Sequence, residues 1–399
     1  MKTISPSRRA LEAPASAIRK LVPLADAAKK RGIKVYHVNI GQPDLPTPAP
    51  VMKAIREFPE KTLEYAPSAG IREALEAWET FYRKKKFPFS VQDLLITSGG
   101  SEGLIFAFFA VTDPGDEIIM FEPFYTSYAI IAAMGAIRIV PVTTQVEDGY
   151  HLPDKKTIEG AITSKTRAIL VCNPNNPTGT LYRDEEVKLI KEIALERNLF
   201  IISDETYQEI VFDGRKALPF VTFPEVLPNL IVADSVSKRF NACGARVGCL
   251  ASKNAAVMAS ILKFAQARLS VATVDQLAMI PILKNHREYI NGIRKTYEAR
   301  RNTLVTALSE IEGVTFRRPE GAFYLMPRLP ITDSDDFARF LLEDYSDKGE
   351  TLMVAPATGF YKTEGLGKSE IRIAYVLEQK KLVRAIAILN AAIKAYNSR

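Results

Sequence analysis

The chain is poor in the residues that build metal centres and disulfide frameworks. Its 399 residues include three cysteines, three histidines and one tryptophan. An odd, low cysteine count argues against a disulfide scaffold and for a reducing compartment. His37, His151 and His286 have no second histidine or cysteine at zinc-ligand spacing, so no metal site is expected. Nowhere do 18 apolar residues run without a break, which leaves no candidate for a membrane span. Met1 to Pro14 is polar and charged and lacks the apolar core of a signal peptide, so the cytoplasm is the expected location. An excess of one charge is also missing. The net charge of +7 comes from 53 Lys+Arg against 46 Asp+Glu, too small a surplus over this length to indicate a nucleic-acid partner. The basic runs Lys29-Lys30-Arg31 and Arg83-Lys84-Lys85-Lys86 each end a helix-like segment. Cations suit the helix dipole there, and a solvated helix end accounts for both.

What is present is the composition of a globular protein, 47% hydrophobic and 25% charged, with length for two or three domains. Apolar runs at Leu94–Thr97, Glu117–Phe121, Ile137–Val142, Ala168–Cys172, Leu199–Ser203, Leu230–Asp234 and Val247–Ala251 read as strands. They are rich in Ile and Val and lack clean alternation, which implies burial on both faces. Helical patterns lie between many of them. Ile71, Ala74, Leu75, Trp78 and Phe81 form one amphipathic stripe, which assigns the tryptophan to core packing. Strand–helix alternation on this scale implies a mostly parallel sheet with helices on both faces. After about residue 285 the pattern changes. A long helix over His286–Ile311 precedes strands at Val314–Arg317, Ala322–Met326, Thr351–Val354 and Ile371–Val376, with a helix near Ser334–Tyr345 and another at the end. Residues 50–285 are expected to form a large domain. Residues 1–49 and 286–399 are expected to form a smaller α/β domain with an N-terminal arm, and a cleft between two domains is a common ligand site.

Four loops follow strand-like runs. Asp234-Ser235-Val236-Ser237-Lys238 leads to Gly244-Ala245-Arg246-Val247-Gly248. A lysine just beyond a buried strand can serve as a nucleophilic amine, although Lys238 alone also reads as an exposed loop lysine. Arg246 adds a forked cation suited to phosphate, and Ser235 adds a hydroxyl. Cys172-Asn173-Pro174-Asn175-Asn176-Pro177-Thr178-Gly179 is either a polar turn or a site loop. Asp204-Glu205-Thr206-Tyr207 ends the next strand. In an open parallel sheet, ligands bind beyond the carboxyl ends of the strands, where Asn176, Asp204 and Lys238 converge. Ser98-Gly99-Gly100-Ser101-Glu102 opens a helix, either as an anion-binding N-terminus or as a simple cap with Glu102 in the first turn.

Asn176-Pro177-Thr178-Gly179, Asp204-Glu205-x-Tyr207, Ser235-x-Ser237-Lys238 and Gly244-x-Arg246-x-Gly248 together resemble the class I/II aminotransferases. These are fold-type I enzymes dependent on pyridoxal 5'-phosphate (PLP). The resemblance covers nearly the whole chain, from Asn39-Ile40-Gly41-Gln42-Pro43-Asp44 and Tyr65-Ala66-Pro67 to Gly321-Ala322-Phe323-Tyr324 and Arg372-Ile373. It implies an α/β fold in which the large domain holds a mostly parallel seven-stranded sheet in an α/β/α sandwich. It implies that Lys238 is the Schiff-base lysine, that Asp204 pairs with the pyridine nitrogen, and that Asn176 and Tyr207 donate to the 3-hydroxyl oxygen. Gly100, Ser101, Glu102 (through its backbone N–H), Ser235 and Arg246 correspond to the phosphate cup, with Tyr65 reaching in from a neighbouring subunit. Tyr125 falls where the family stacks a ring on the cofactor. Arg372 matches the clamp on the substrate α-carboxylate, with Gly41 adding a backbone N–H. A homodimer with shared active sites follows from the same resemblance, with an amino acid and a 2-oxo acid as its small-molecule substrates. Ala357 stands where many members have glycine after the proline, and Ser101 stands where one aspartate-using branch has lysine. Arg268 is then the best remaining reader of a distal carboxylate, or else an arginine that merely ends a helix. Aspartate or glutamate with 2-oxoglutarate is the expected pair. Aromatic or other neutral donors, with Tyr125, Tyr128 and Phe360 as pocket walls, and a lyase on the same fold are the alternatives. Arg239 has no assignment.

Overall fold

The computed structural model describes residues 4–59 and 61–399. Its strands are β1 (Lys34–His37), β2 (Leu94–Thr97), β3 (Glu117–Glu122), β4 (Arg138–Thr143), β5 (Thr166–Cys172), β6 (Phe200–Asp204), β7 (Leu230–Ser235), β8 (Gly248–Ala251), β9 (Tyr324–Leu325), β10 (Glu350–Met353), β11 (Ala355–Pro356) and β12 (Ile371–Ala374). All seven strand-like runs of the middle of the chain join one sheet in the order β2-β8-β7-β6-β5-β3-β4. Only β8 runs against its neighbours. Ile119, Ile169, Val171, Ile201 and Val232 pack on one face, and Ile118, Met120, Leu170, Ile202 and Ile231 on the other. Successive residues of a strand point to opposite faces, so a sheet covered by helices on both sides needs apolar residues at every position. The fold is the α/β/α sandwich of fold type I.

Helix Arg72–Lys84 covers one face with Leu75, Trp78, Phe81 and Tyr82. Trp78 is completely buried, with its ring centroid 5.5 Å from that of Phe81 and 5.6 Å from that of Tyr82. Emptying that position to alanine costs about 3–5 kcal/mol. The basic run that ends this helix departs from the solvated end expected of it. Lys85 is half-buried, its ammonium 5.1 Å from the ring centroids of both Phe81 and Phe87 and bonded to the Gln208 side chain.

A second core gathers Tyr297, Leu304, Phe337, Leu341, Leu352 and Ile386, and Leu21, Ala25, Tyr36 and Val38 enter it from near the start of the chain. β1 pairs in parallel with β10, Lys34 opposite Glu350. The run Val314–Arg317 does not form the expected strand. It makes one bridge, Thr315 with Arg328, because Pro319, Pro327 and Pro330 near it have no N–H to extend a ladder. No helix among the described residues is long and apolar enough to cross a membrane.

Candidate active site

β2, β3, β5, β6 and β7 run in one direction, so their carboxyl ends open on one edge of the sheet. β7 ends in Ser235, whose hydroxyl accepts from the Ser237 N–H at 3.1 Å and caps the one-turn helix Val236–Arg239. This turn carries Lys238. Its Nζ donates to the Gly41 carbonyl at 2.8 Å and lies 3.4 Å from Cys243 Sγ.

Asp204, at the end of β6, is buried. Its carboxylate accepts from the Tyr128 hydroxyl at 2.7 Å and from the Thr206 N–H at 3.1 Å. Burial pushes its pKa up, against the pull of those two bonds. Among the described residues no cation lies within ion-pair distance of it. A buried carboxylate without a counter-ion is costly, so this position suits a cationic ligand group. The loop after β5 brings Asn176 into the same space, also buried. Gly179 in that loop has φ +77°, and a Cβ there would come within 2.4 Å of the Tyr324 carbonyl. Only glycine lets the loop lie this close to the 321–324 segment.

After β2, helix Gly99–Val111 begins. Gly99 has φ +74°, and a Cβ on it would meet the Arg246 guanidinium at 2.4 Å. Arg246 is exposed and donates to the carbonyls of Cys243 and Ser98, each at 3.1 Å. Gly100 and Ser101 occupy the first turn, and Glu102 folds back to accept from the Ser98 N–H at 2.7 Å. The helix start, the Ser235 hydroxyl and Arg246 thus converge as an anion cup. Tyr125 is half-buried beyond β3, edge-on to Tyr128 with centroids 5.4 Å apart.

The opposite wall comes from the second core. Arg372 on β12 is 1% exposed. It donates to Asn176 Oδ1 at 3.0 Å and to the Asn39 carbonyl at 2.5 Å, and its guanidinium lies over the rings of Tyr324 and Phe360. Its Nε is buried without a partner. Tyr207 and Tyr324 share a hydrogen bond at 2.9 Å, and burial pushes the Tyr207 hydroxyl well above its ordinary pKa.

Of the sequence-selected residues, Tyr65 stands apart from this cluster and Arg268 meets it only at its edge, through Glu102. Tyr65 is 84% exposed. Arg268 ends helix Ala255–Arg268 and is committed within its own chain, to the Ile96 carbonyl at 3.1 Å and to Glu102 Oε1 at 3.2 Å. Its Nη1 is buried without a partner. Sequence reasoning missed Tyr128 as the donor to Asp204, and Asn39 and Tyr324 as supports of Arg372. For Tyr128 the only signal was its place three residues after Tyr125, one helical turn on.

These residues fit PLP. Asp204 lacks the cation that a pyridinium would be, Lys238 presents an amine just beyond the neighbouring strand β7, and the Gly99–Arg246 approach leaves an anion cup that a side chain would fill. A lysine, a buried carboxylate and an anion cup on the strand ends of this sheet define a PLP-dependent enzyme of fold type I. More narrowly, the chain belongs to the class I and II aminotransferase family, whose model matches residues 33–389. It is 32% identical over 367 residues to an aspartate aminotransferase of Pyrococcus horikoshii, covering 90% of this chain and 91% of that one. Aspartate aminotransferase of Thermus thermophilus with maleate superposes with a TM-score of 0.88 at 28% identity, over 98% of this chain and 100% of that one. An alanine aminotransferase from Pyrococcus furiosus superposes with a TM-score of 0.89 at 30% identity, with the same coverage.

Proposed function

We propose that this aminotransferase takes aspartate or glutamate as its preferred amino donor and a 2-oxo acid such as 2-oxoglutarate as acceptor. Bound PLP supplies the electron sink for the charge left when the substrate Cα gives up its proton. Lys238 would hold the cofactor through its amine, and the same amine would take the proton from the substrate Cα and return it. Asp204 keeps the ring nitrogen protonated, and Tyr128 orients Asp204. Asn176 and Tyr207 donate to the 3-hydroxyl oxygen. The N–H groups of Gly100, Ser101 and Glu102, with Ser235 and Arg246, would hold the phosphate, and Tyr125 would lie against the ring. Arg372 and the Gly41 backbone bind the substrate α-carboxylate. Its partners in this structure are neutral, which leaves its charge for the ligand.

The proposal includes a homodimer whose subunits lend Tyr65 and Arg268 to each other's sites. Leu63, Tyr65 and Leu269 are more than half exposed, and the Thr273 hydroxyl ties their two segments by donating to the Glu64 carbonyl at 2.9 Å. An apolar patch of this kind favours a subunit interface. The division into residues 50–285 against 1–49 with 286–399 belongs to the same reading, supported by two cores and the β1–β10 pairing. So does a cytoplasmic location, supported by the free cysteines Cys172, Cys243 and Cys249.

The observation that carries the acidic donor is the unpartnered Nη1 of Arg268, a cation for a distal carboxylate. The relatives named aspartate aminotransferase point the same way. A neutral donor is the second reading, favoured by the Glu102 carboxylate that already balances Arg268 and by the likeness to the alanine enzyme. A half-reaction screen of all twenty amino acids, following the absorbance of bound PLP, separates them. Arg268→Leu is expected to lower kcat/KM for aspartate by about 2–5 kcal/mol while alanine turnover changes little. Equal losses for the two donors would remove Arg268 from specificity, and release of ammonia would make the enzyme a lyase.

A further inference from the structure

Arg239 follows the lysine directly, and nothing in the proposed chemistry uses it. It is 1% exposed, which for a guanidinium is costly unless it is paired. Nη1 meets Asp234 Oδ1 at 2.9 Å, and Nε lies 2.5 Å from Glu209 Oε2, out of hydrogen-bond alignment. The guanidinium also stacks over the Phe81 ring at 4.7 Å. Asp234 is itself held, because its Oδ1 accepts from the Ser235 N–H at 2.7 Å. Arg239 is therefore fixed from three elements: β7, the segment after β6, and helix Arg72–Lys84.

The turn that carries Lys238 is four residues long. A single turn has almost no hydrogen-bond ladder of its own, so whatever grips its two ends decides where its side chains point. Ser235 grips the amino end. Arg239 is the last residue at the other end, and its side chain runs into the core while Lys238 reaches Gly41 in the cleft.

Resting on the reading of Lys238 as the PLP lysine, we infer that Arg239 is a positioning residue: tethered to Asp234 and Glu209, it locks the one-turn helix so that the Lys238 amine faces the cofactor. The tether has an electrostatic side as well. Asp234, Glu209, Glu205 and Tyr82 face it, and so do Lys85 from the end of helix Arg72–Lys84 and His286 from the start of helix Arg287–Ser309. Burial pushes Glu209 up, but Lys85 and Arg239 outweigh it and the net shift is downward, so Glu209 carries its charge. With Arg239 in place its cation offsets Asp234 and Glu209. Without it Asp234 loses its counter-ion and Glu209 keeps only Lys85, so the negative charge behind the lysine grows, and the Lys238 nitrogen, when it holds the cofactor, would keep its proton to higher pH.

The test begins with borohydride reduction of the wild-type holoenzyme and mass mapping of the labelled lysine. A label elsewhere than Lys238 would sink the functional reading itself, whatever Arg239 does. With the label on Lys238, the pH titration of the bound-cofactor absorbance is compared in wild type, Arg239→Met and Arg239→Lys. For Arg239→Met the midpoint is expected to rise by about half a unit or more, kcat to fall at least about tenfold, and KM to change little. Arg239→Lys restores most of the midpoint, because the charge returns, and less of kcat, because the fork does not. A folded Arg239→Met holoenzyme with a lower melting temperature but unchanged midpoint and kcat would overturn the inference. Glu209→Gln leaves the Asp234 pair intact and serves if Arg239→Met does not fold. Its midpoint is expected to fall, and an unchanged midpoint with unchanged kcat would again overturn the inference.

Discussion

Arg239, Arg301 and Arg372 are all shielded from water, and they divide between the core behind the site and the site itself. Arg301 bonds Asp213 twice, at 2.6 and 2.8 Å, and Arg239 meets Asp234 and Glu209. Arg372 has an amide oxygen, a backbone carbonyl and two ring faces, but no carboxylate. The carboxylates divide the same way. Asp234 has Arg239, and Asp204 has only a hydroxyl and an N–H. Charges that serve the fold bring their counter-ions with them. The two charges proposed to serve the cofactor and the α-carboxylate, Asp204 and Arg372, are held by neutral groups instead. In the proposed site Asp204 would take a cation and Arg372 an anion, with Lys238 as the reactive group just beyond β7, the strand next to that of Asp204.

The sharpest way to break that contrast is to remove the reactive group and leave both unbalanced charges standing. Lys238→Ala is expected to lower turnover at least about a thousandfold, through loss of both covalent attachment and proton transfer. The fold should survive, because the lysine amine bonds only Gly41 and approaches Cys243. Steady-state rates beside far-ultraviolet circular dichroism check this, and a variant with normal turnover would end the assignment of Lys238.

Next in size is a pair of substitutions that should fail in opposite assays. Arg372→Met removes an unbalanced cation that burial already disfavours. It should cost about 2–5 kcal/mol in kcat/KM and little or nothing in stability. Arg301→Met strands Asp213, whose pKa the Arg301 bonds hold down, and should cost roughly 1–3 kcal/mol of stability, moderated because Asp213 is partly exposed. Its kcat/KM should stay near wild type. If both variants lost stability alike, buried arginines could not be sorted by their partners.

The two halves of the site were unequally legible in the sequence. Asn176, Asp204, Ser235 and Lys238 each lie within a few residues of a strand end, so one local pattern of apolar run followed by polar loop marks them. The seven strands were legible for the same reason, burial on both faces. The wall around Arg372 is assembled from Asn39, Asn176, Tyr324 and Phe360, and the Asn39 bond spans 333 positions of chain. No local pattern encodes such a meeting. β1 escaped notice because Lys34–His37 is short, polar and paired with residues 350–353. Lys85 was hidden within a basic run whose other members behave as helix-end charges; the rings of Phe81 and Phe87 that flank it are local, but Gln208 and the carboxylates of Glu209, Asp234 and Glu205 that face it come from distant segments.

The smallest expected effect concerns Glu205, a core carboxylate that the contrast would assign a partner but that has only a loose one. It is 5% exposed. One oxygen accepts from the Ser203 hydroxyl at 2.9 Å, and the other is buried without a bond. Burial pushes its pKa from the ordinary 4.5 up to about 7, with Lys85 pulling the other way. Between those two values the folded protein keeps a proton that the unfolded chain has released. Stability from this group is therefore complete below about pH 4.5, declines as the pH rises through about 7, and stays low above it. A gap of that size corresponds to at most roughly 3 kcal/mol. Glu205→Gln keeps the shape and the acceptor for Ser203 and has no charge to desolvate. The variant should match wild type at about pH 4 and exceed it by about 1–3 kcal/mol at pH 8.5, a few degrees in melting temperature. Thermal melts of both holoenzymes at the two pH values decide it. A gain of equal size at both would trace the effect to packing. A loss at pH 8.5 would show that Lys85 pairs with Glu205 closely enough to place it among the balanced charges of the core.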